Sequence, residues 1–199
     1  MISRGPVTIT AAGITTGDAH PRPSKMGAST ASRGVTRDGG PACPLSSLAA
    51  MRIRTAELAD TASLIELWTA AGLRFRPGQV PAELAAVLAR DPDLVLIAED
   101  ADGVTAAVLG TFDGRRGWVN RLATRPGRRG QGHASAVLAE LERRLGAKGC
   151  RKVNLLIEPD NEAVTGFYRQ HGYTEDQLIF MEKWLHPGRP PHPDPPPPE

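Results

Sequence analysis

A glycine-rich turn at 125–132, with the sequence RPGRRGQG, combines residue types that bind anions. It precedes a periodic helix, whose start leaves backbone N–H groups unpaired and whose dipole favours negative charge there. Gly130 and Gly132 allow close approach of a ligand because they carry no Cβ. Arg128 and Arg129 add positive charges that suit a phosphate. The alternative is a purely structural strand-to-helix turn, but the two arginines favour phosphate binding.

The segment after this turn has the spacing of an amphipathic helix. Its apolar residues share one face, at Ala134, Val137, Leu138, Leu141 and Leu145. Charged residues occupy the opposite face, where Glu140 and Arg144 form a favourable i,i+4 pair. Gly149 fits the position just after a helix end, so the pattern predicts a helix between the turn and Gly149.

The remaining elements follow from apolar runs and helix-end signals. Runs bounded by turn residues predict strands at 51–54, 94–99, 104–112, 118–123, 152–158 and 179–184. Three further helices are predicted, one capped by Asp60 and closed by Gly72, one from Pro81 to before Asp91, and one capped by Asp160 or Asn161 that runs through Gln170. The order βααβββαβαβ indicates a single α/β or α+β domain.

Composition narrows the functional classes. The chain has 199 residues and a net charge of +2, which argues against an extended nucleic-acid interface. No apolar run is long enough to span a membrane. Cys43 and Cys150 lie far apart and have no metal-binding neighbourhood, which fits a reducing compartment. We therefore expect a cytoplasmic protein without nucleic-acid or membrane partners.

The two ends of the chain differ from its centre. Residues 1–50 are rich in Gly, Pro, Ser, Thr and Ala and carry few large apolar residues, so they cannot bury enough surface to offset their ordering entropy. Patterned sequence begins at Met51, and one hypothesis is that translation starts there. Residues 186–199 form a proline-rich tail. We expect disordered ends at 1–50 and 186–199 around a folded domain at 51–185.

Three motifs occur in an order and spacing that resemble one known family. The stretch 129–134, RGQGHA, fits Q/R-x-x-G-x-G/A, and LATRP at 122–126 is similar to the family's L-A-V-x-P strand end. NEAV at 161–164 and FYRQHGY at 167–173 resemble its later N-x-x-A/x…F-Y-x-x-x-G-F helix. On these motifs, residues 51–185 resemble the GNAT superfamily of acyl-CoA N-acyltransferases, in its short single-domain bacterial form.

The resemblance implies a fold and an activity. The fold would be a mixed, mostly antiparallel central sheet flanked by helices on both faces. The activity would be transfer of an acetyl group from acetyl-CoA to a primary amine of a small molecule, peptide or protein, by direct attack in a ternary complex. No metal is implied, and the protein is expected to be a monomer or a homodimer.

The resemblance also assigns cofactor-binding residues. Backbone groups of Leu122 and Thr124, on either side of Ala123, would pair with the pantetheine arm as an added strand would. Backbone N–H groups in one run would hold the pyrophosphate, contributed by Arg129, Gly130, Gln131, Gly132, His133 and Ala134. The side chain of His133 is expected to flank the helix start. Asn161 would hydrogen-bond the cofactor across a cleft between the 118 and 152 strands, or alternatively only cap its helix.

Catalytic roles follow from the same resemblance. Tyr168 would lie near the thioester sulfur and protonate the leaving thiolate. The alternative is that it fills the core with its hydroxyl bonded locally. The Thr124 amide would stabilise the oxyanion. Many family members carry a Glu in the strand before the turn, where this chain has Asn120. Glu158 and Asp113 are then the candidate bases, and Glu158 is alternatively a surface carboxylate.

The acceptor pocket of the family is lined partly by the loop between the first two helices. In this chain that loop offers Arg74, Phe75 and Arg76. The two arginines would bind a negative group on the acceptor or alternatively remain solvated. Two other functions stay open. One is a catalytically weak or inactive acyl-CoA-binding regulatory module. The other is a nucleotide-binding protein, disfavoured because the turn lacks the Lys-Ser/Thr of a P-loop.

Overall fold

A mixed sheet organises the residues that the computed structural model describes, which are 51–181, 183 and 185. Its strands are β1 (Arg52–Thr55), β2 (Val95–Asp100), β3 (Gly103–Phe112), β4 (Gly117–Thr124) and β5 (Val153–Asn154). They lie in the order β1-β2-β3-β4-β5, and only the β4–β5 pair is parallel. The prediction of a mixed, mostly antiparallel sheet is confirmed. The tails predicted at 1–50 and 186–199 lie outside the described residues.

Helices pack on both faces of this sheet. They are α1 (Thr61–Ala71), α2 (Val80–Arg90), α3 (His133–Ala147) and α4 (Thr165–Gln170). Because side chains alternate along a strand, β2 directs Val95 and Ile97 towards α1 and α2, and Leu96 and Ala98 towards α3 and α4. Burial on both faces explains why this strand reads as a continuous apolar run. Among the described helices, none has both the length and the apolar composition that crossing a bilayer requires.

The start of α1 differs from the prediction that Asp60 caps it. The Asp60 carboxylate makes no cap bond to α1. It instead accepts the Glu57 N–H at 2.7 Å and the Arg54 guanidinium at 2.7 Å. The hydrogen bond from Arg54 lowers the pKa of Asp60. Asp60 therefore closes a 3-10 turn, Leu58–Asp60, and ties it to β1.

The last two predicted strands are where the sheet differs most from expectation. The strand predicted at 152–158 is reduced to Val153–Asn154. Leu155 and Ile157 pack against the core but do not extend the ladder of backbone hydrogen bonds. The prediction of a strand at 179–184 is wrong for residues 179–181 and 183, which belong to no strand. The other two residues of this prediction lie outside the described part of the chain. A further strand needs a partner strand of several residues with which to pair. The described strand β5 has only two residues, so it offers little edge for a strand at 179–184.

Gly110 marks the closest approach of α3 to the sheet, and it supplies a test of this packing. A Cβ there would lie 2.3 Å from Leu141 Cδ1 and 2.8 Å from the Leu94 carbonyl oxygen. We expect Gly110→Ala to lower the free energy of unfolding by about 1–3 kcal/mol, the usual cost of overpacking. Urea unfolding would measure it. Gly146→Ala, which meets nothing within 4 Å, is the matched control and should be neutral or stabilising because it lies inside a helix.

Candidate functional site

β4 has an open edge along its second half. It pairs with β5 only at Gly117↔Val153 and Trp118↔Asn154. Beyond Trp118, β4 pairs with β3 alone among the described strands. An unpaired edge presents a row of N–H and C=O groups that an extended ligand can bind as an added strand. This edge includes Leu122 and Thr124, the residues expected to meet a pantetheine arm.

A bulge bends β4 just before this edge reaches the glycine turn. Ala107 pairs with Ala123 whereas Leu109 pairs with Asn120, so β4 carries one extra residue. Arg121 occupies the bulge with φ +46°, a left-handed conformation that non-glycine residues rarely adopt. Bulges re-aim side chains and are common beside active sites. Here the bulge sends the Arg121 side chain to the face covered by α1 and α2.

Arg121 lies in a cluster that sequence reasoning missed. Its guanidinium stacks over Trp68 at 4.9 Å and over Phe75 at 5.6 Å, and its Nη2 donates to Glu83 Oε2 at 2.6 Å. The Trp68 Nε1–H donates to the Arg121 carbonyl at 3.2 Å and so holds the bulge. Nε and Nη1 of Arg121 are buried without a partner among the described residues. An arginine inside an otherwise apolar strand was the available signal, because arginine is rarely fully buried.

The glycine turn follows β4 directly and leads into α3. Gly130 and Gly132 have φ of +71° and +81°, and a Cβ at Gly130 would meet nothing within 4 Å. Gly132 is the residue before α3 and has no side chain to cap it. The first N–H groups of α3 are therefore open to an anion. Gln131 closes the turn by donating to the Gly127 carbonyl at 3.2 Å.

The two arginines of the turn have different surroundings. Arg128 donates to Asp100 at 2.8 Å and also to Asp102, so its charge is balanced by the turn between β2 and β3. The phosphate role expected for Arg128 is therefore not supported. Arg129 is partly buried, and its Nε has no partner in the described structure. Of the two, Arg129 is the residue suited to an anion.

His133, the first residue of α3, is buried beneath the turn. Its Nδ1 lies 2.7 Å from Thr105 Oγ1, and Thr105 donates its own hydroxyl proton to the Ala98 carbonyl at 3.1 Å. Nδ1 must therefore carry the proton, which leaves Nε2 as a buried acceptor with no partner in the described structure. Burial lowers the pKa of His133, opposed by the charge of Asp100. Burial therefore favours the neutral imidazole over the charged one.

Tyr168 and Asn161 present two further unpaired polar groups. Tyr168 is 2% exposed, and its hydroxyl has no partner among the described residues. Burial raises the pKa of Tyr168, so the phenol keeps its proton at physiological pH. Asn161 lies inside a 3-10 turn, Pro159–Val164, and its Nδ2 is also buried without a described partner. Unpaired buried donors are costly, so both groups fit a site that a ligand completes.

The helix that Asp160 or Asn161 was predicted to cap begins later. α4 begins at Thr165, immediately after the 3-10 turn, and no side chain caps it. The alternative interpretation of Asn161 as a helix cap is therefore wrong. The physical reason is that a 3-10 turn and an α-helix share similar residue preferences at their starts.

The base and acceptor candidates are distributed unevenly around the site. Asp113 accepts the Arg115 N–H at 2.7 Å in the turn before Gly117, so it lies at the end of β4 away from the glycine turn. This position argues against Asp113 as the base. Glu158 precedes the 3-10 turn and is partly buried. Arg74 and Arg76 are exposed on the α1–α2 connection.

The buried neutral state of His133 predicts a pH-dependent stability. Because its pKa is lowered from 6.5 in the folded state, the unfolded chain binds the proton first as the pH falls. The stability that neutral His133 contributes is therefore complete above about pH 6.5 and is lost below it. Urea unfolding at pH 7.5 and 5.5 should show this drop in the wild type and a smaller one in His133→Leu. His171→Leu is the control, and an unchanged drop in His133→Leu would contradict the assignment.

Comparisons with known proteins agree with this geometry. The model of the acetyltransferase (GNAT) family matches residues 61–173. A Yersinia enterocolitica protein named as an acetyltransferase is 36% identical over 136 residues, or 68% of this chain and 96% of its own. A Sodalis glossinidius acetyltransferase is 37% identical over 137 residues, with the same coverage of 68% and 96%.

A solved structure supports the fold independently. It is a Clostridium acetobutylicum protein described as an acetyltransferase with acetyl-CoA, with a TM-score of 0.54 at 18% identity, covering 67% of this chain and 96% of its own. The likeness at this identity concerns the fold, whereas the family assignment rests on the family model and the sequence relatives. The strand with an open edge, the glycine turn and these matches together show that the chain belongs to the GNAT family of acetyltransferases.

Proposed function

We propose that the protein transfers an acetyl group from acetyl-CoA to a primary amine of a small molecule, peptide or protein, by direct attack in a ternary complex. The observation that carries this proposal is the open edge of β4 leading into the uncapped N-terminus of α3. Such an edge can pair with an extended arm, and such a helix start can hold an anion at the end of that arm. The family membership and the relative solved with acetyl-CoA support it.

The described residues fit this cosubstrate. Backbone groups of Leu122 and Thr124 would hydrogen-bond the pantetheine arm beside Ala123. Backbone N–H groups of 129–134 would hold the pyrophosphate, with Arg129 adding charge. Asn161 Nδ2, which is buried with no partner among the described residues, would donate from the far side of the gap between β4 and the segment after β5.

The chemistry requires a neutral amine, an oxyanion donor and a proton for the leaving sulfur. Deprotonating a lysine-type amine at pH 7 costs roughly 4–5 kcal/mol, and an α-amino group only about 1 kcal/mol. Glu158 would accept the proton in the first case and is dispensable in the second. The Thr124 amide would stabilise the oxyanion, and Tyr168 would donate its hydroxyl to the departing thiolate. Arg74 and Arg76 would meet a negative group on an incoming acceptor.

Asn120 is the observation that favours a second candidate function. It is buried on β4, at the position where the family resemblance implies a carboxylate, so the acyl-CoA site could serve a regulatory module with weak or no catalysis. Tight binding of acetyl-CoA without thiol release, across a panel of α-amino and ω-amino acceptors, would identify that function.

Charge reversal at Arg129 tests the cosubstrate site. We expect Arg129→Glu to weaken acetyl-CoA binding by about tenfold to a hundredfold, because a charge-assisted hydrogen bond is worth roughly 1.5–3 kcal/mol. Isothermal titration calorimetry would measure the dissociation constant. Arg151→Glu makes the same charge change at an exposed residue before β5 and should leave binding unchanged. Equal effects of both variants would count against the site.

Removal of the Tyr168 hydroxyl tests the proposed acid. Tyr168→Phe should lower kcat by about 100-fold, within the range for a general acid, while the melting temperature holds or rises because an unpaired buried group is removed. Thiol release and thermal unfolding would measure these effects. Tyr173→Phe is the matched control. Its hydroxyl donates to Glu142 at 2.7 Å, so this variant should lose stability and keep kcat. A Tyr168→Phe enzyme that is fully active would exclude the acid role.

A further inference from the structure

We propose that Arg121 binds an anionic group, a carboxylate or a phosphate, carried by the acceptor amine. This inference rests on the proposed acetyl transfer, because it concerns the second substrate of that reaction. The site is the Arg121 cluster, defined as Trp68, Phe75, Glu83 and Arg121. It lies under the α1–α2 connection, on the face of β4 opposite to Tyr168.

The Arg121 guanidinium has fewer hydrogen-bond acceptors around it than it has N–H donors. Its side chain is 7% exposed, and its one ion pair within the described residues is to Glu83, at 2.6 Å. A guanidinium carries five N–H donors, yet Nε and Nη1 are buried with no acceptor among the described residues. Buried N–H donors without an acceptor are costly and require an explanation such as a missing ion or ligand. A bound oxyanion would satisfy these donors.

The backbone at Arg121 is strained in a way that presents the Arg121 side chain to the cluster. Arg121 has φ +46°, the one positive φ at a described residue other than glycine. Such strain persists where the surroundings over-determine it, often at ligand sites. The Trp68 indole supplies that restraint through its hydrogen bond to the Arg121 carbonyl. The strain places a guanidinium three residues before Thr124, on the strand that carries the reaction site.

Access of an acceptor to the Arg121 guanidinium depends on Phe75 and Glu83. Phe75 covers the guanidinium from the α1–α2 connection and is only half-buried. The Glu83 side chain is 35% exposed, so it compensates the Arg121 charge from the edge of the cluster rather than from within it. Displacing the Phe75 ring would open the Arg121 cluster to an acceptor without disturbing the β4 ladder. A planar guanidinium can hold Glu83 and a second oxyanion on different nitrogens.

Matched acceptor pairs provide the test. The probes are ω-amino acids from glycine to 5-aminovalerate against alkylamines of equal length, and O-phosphoethanolamine against ethanolamine. The wild type should favour an anionic member by about tenfold or more in kcat/KM, the value of one charge-assisted bond. The carboxylate and phosphate pairs separate the two sources of charge. In Arg121→Gln the preference should fall to near one through a higher KM, whereas acetyl-CoA affinity should be unchanged.

Two controls separate recognition from structure. Arg90→Gln removes an arginine on α2 that is paired with Asp91 at 2.8 Å, and it should keep the preference. Arg121→Gln leaves Glu83 unpaired and can destabilise the fold, so the double variant Arg121→Gln/Glu83→Gln replaces the ion pair by two amides. No preference in the wild type, or the same preference in both Arg121 variants, would overturn the proposal and leave Arg121 as a tie between β4 and α2.

A binding measurement keeps the two proposals distinguishable. N-acetylated ω-amino acids and the matching N-alkylacetamides would be titrated into the wild type and the double variant, with and without CoA. Tighter binding of the anionic member, lost in the double variant, supports the Arg121 site even if no amine is turned over. Acetyl-CoA binding with no such preference overturns the Arg121 site alone. Absence of acetyl-CoA binding, with the preference intact, overturns the acetyl-transfer proposal alone.

Discussion

The candidate site depends on the early end of the pairing between β4 and β5. β4 and β5 pair for two residues and then separate, while β3 continues to pair with β4 up to Thr124. The separation leaves a line of backbone donors and acceptors that no other described strand satisfies. The glycine turn and the start of α3 lie at the end of this line. An extended arm that ends in an anion matches both features, and neither feature alone would specify such a ligand.

Most of the unpaired buried polar groups of the described structure collect around this strand. Arg121 and Thr124 lie on β4, Arg129 and His133 lie in the turn and the start of α3, and Tyr168 lies on α4. Each such group costs about 1–3 kcal/mol when it stays unsatisfied. The apolar layers on both faces of the sheet offset this cost, because the three central strands, β2, β3 and β4, are mostly buried. The apolar layers stabilise the fold, and the unpaired polar groups of the site lower that stability.

Local patterns predicted most of the fold but not its non-local pairing. The strands at 94–99 and 104–112 and the helix after the turn carry their own periodicity and turn signals, and the structure has all of them. The strand predicted at 152–158 had to pair with β4, which is distant in sequence. The observed strand β5 stops after two residues. Arg121 was missed for the same reason. A bulge is visible only in the register between two strands, whereas the glycine turn is visible in eight consecutive residues.

The alternation of β4 separates the two proposed substrates. Leu122 faces α3 and α4, the layer that holds Tyr168, whereas Ala123 and Arg121 face α1 and α2. Side chains alternate with period two, so a shift of one residue would exchange the faces. The bulge at Arg121 makes such a shift locally and keeps the residues after it in their places. The same extra residue therefore brings a cation to the acceptor side and leaves Leu122 and Thr124 in register for the acyl donor, so its removal would impair both halves of the site together.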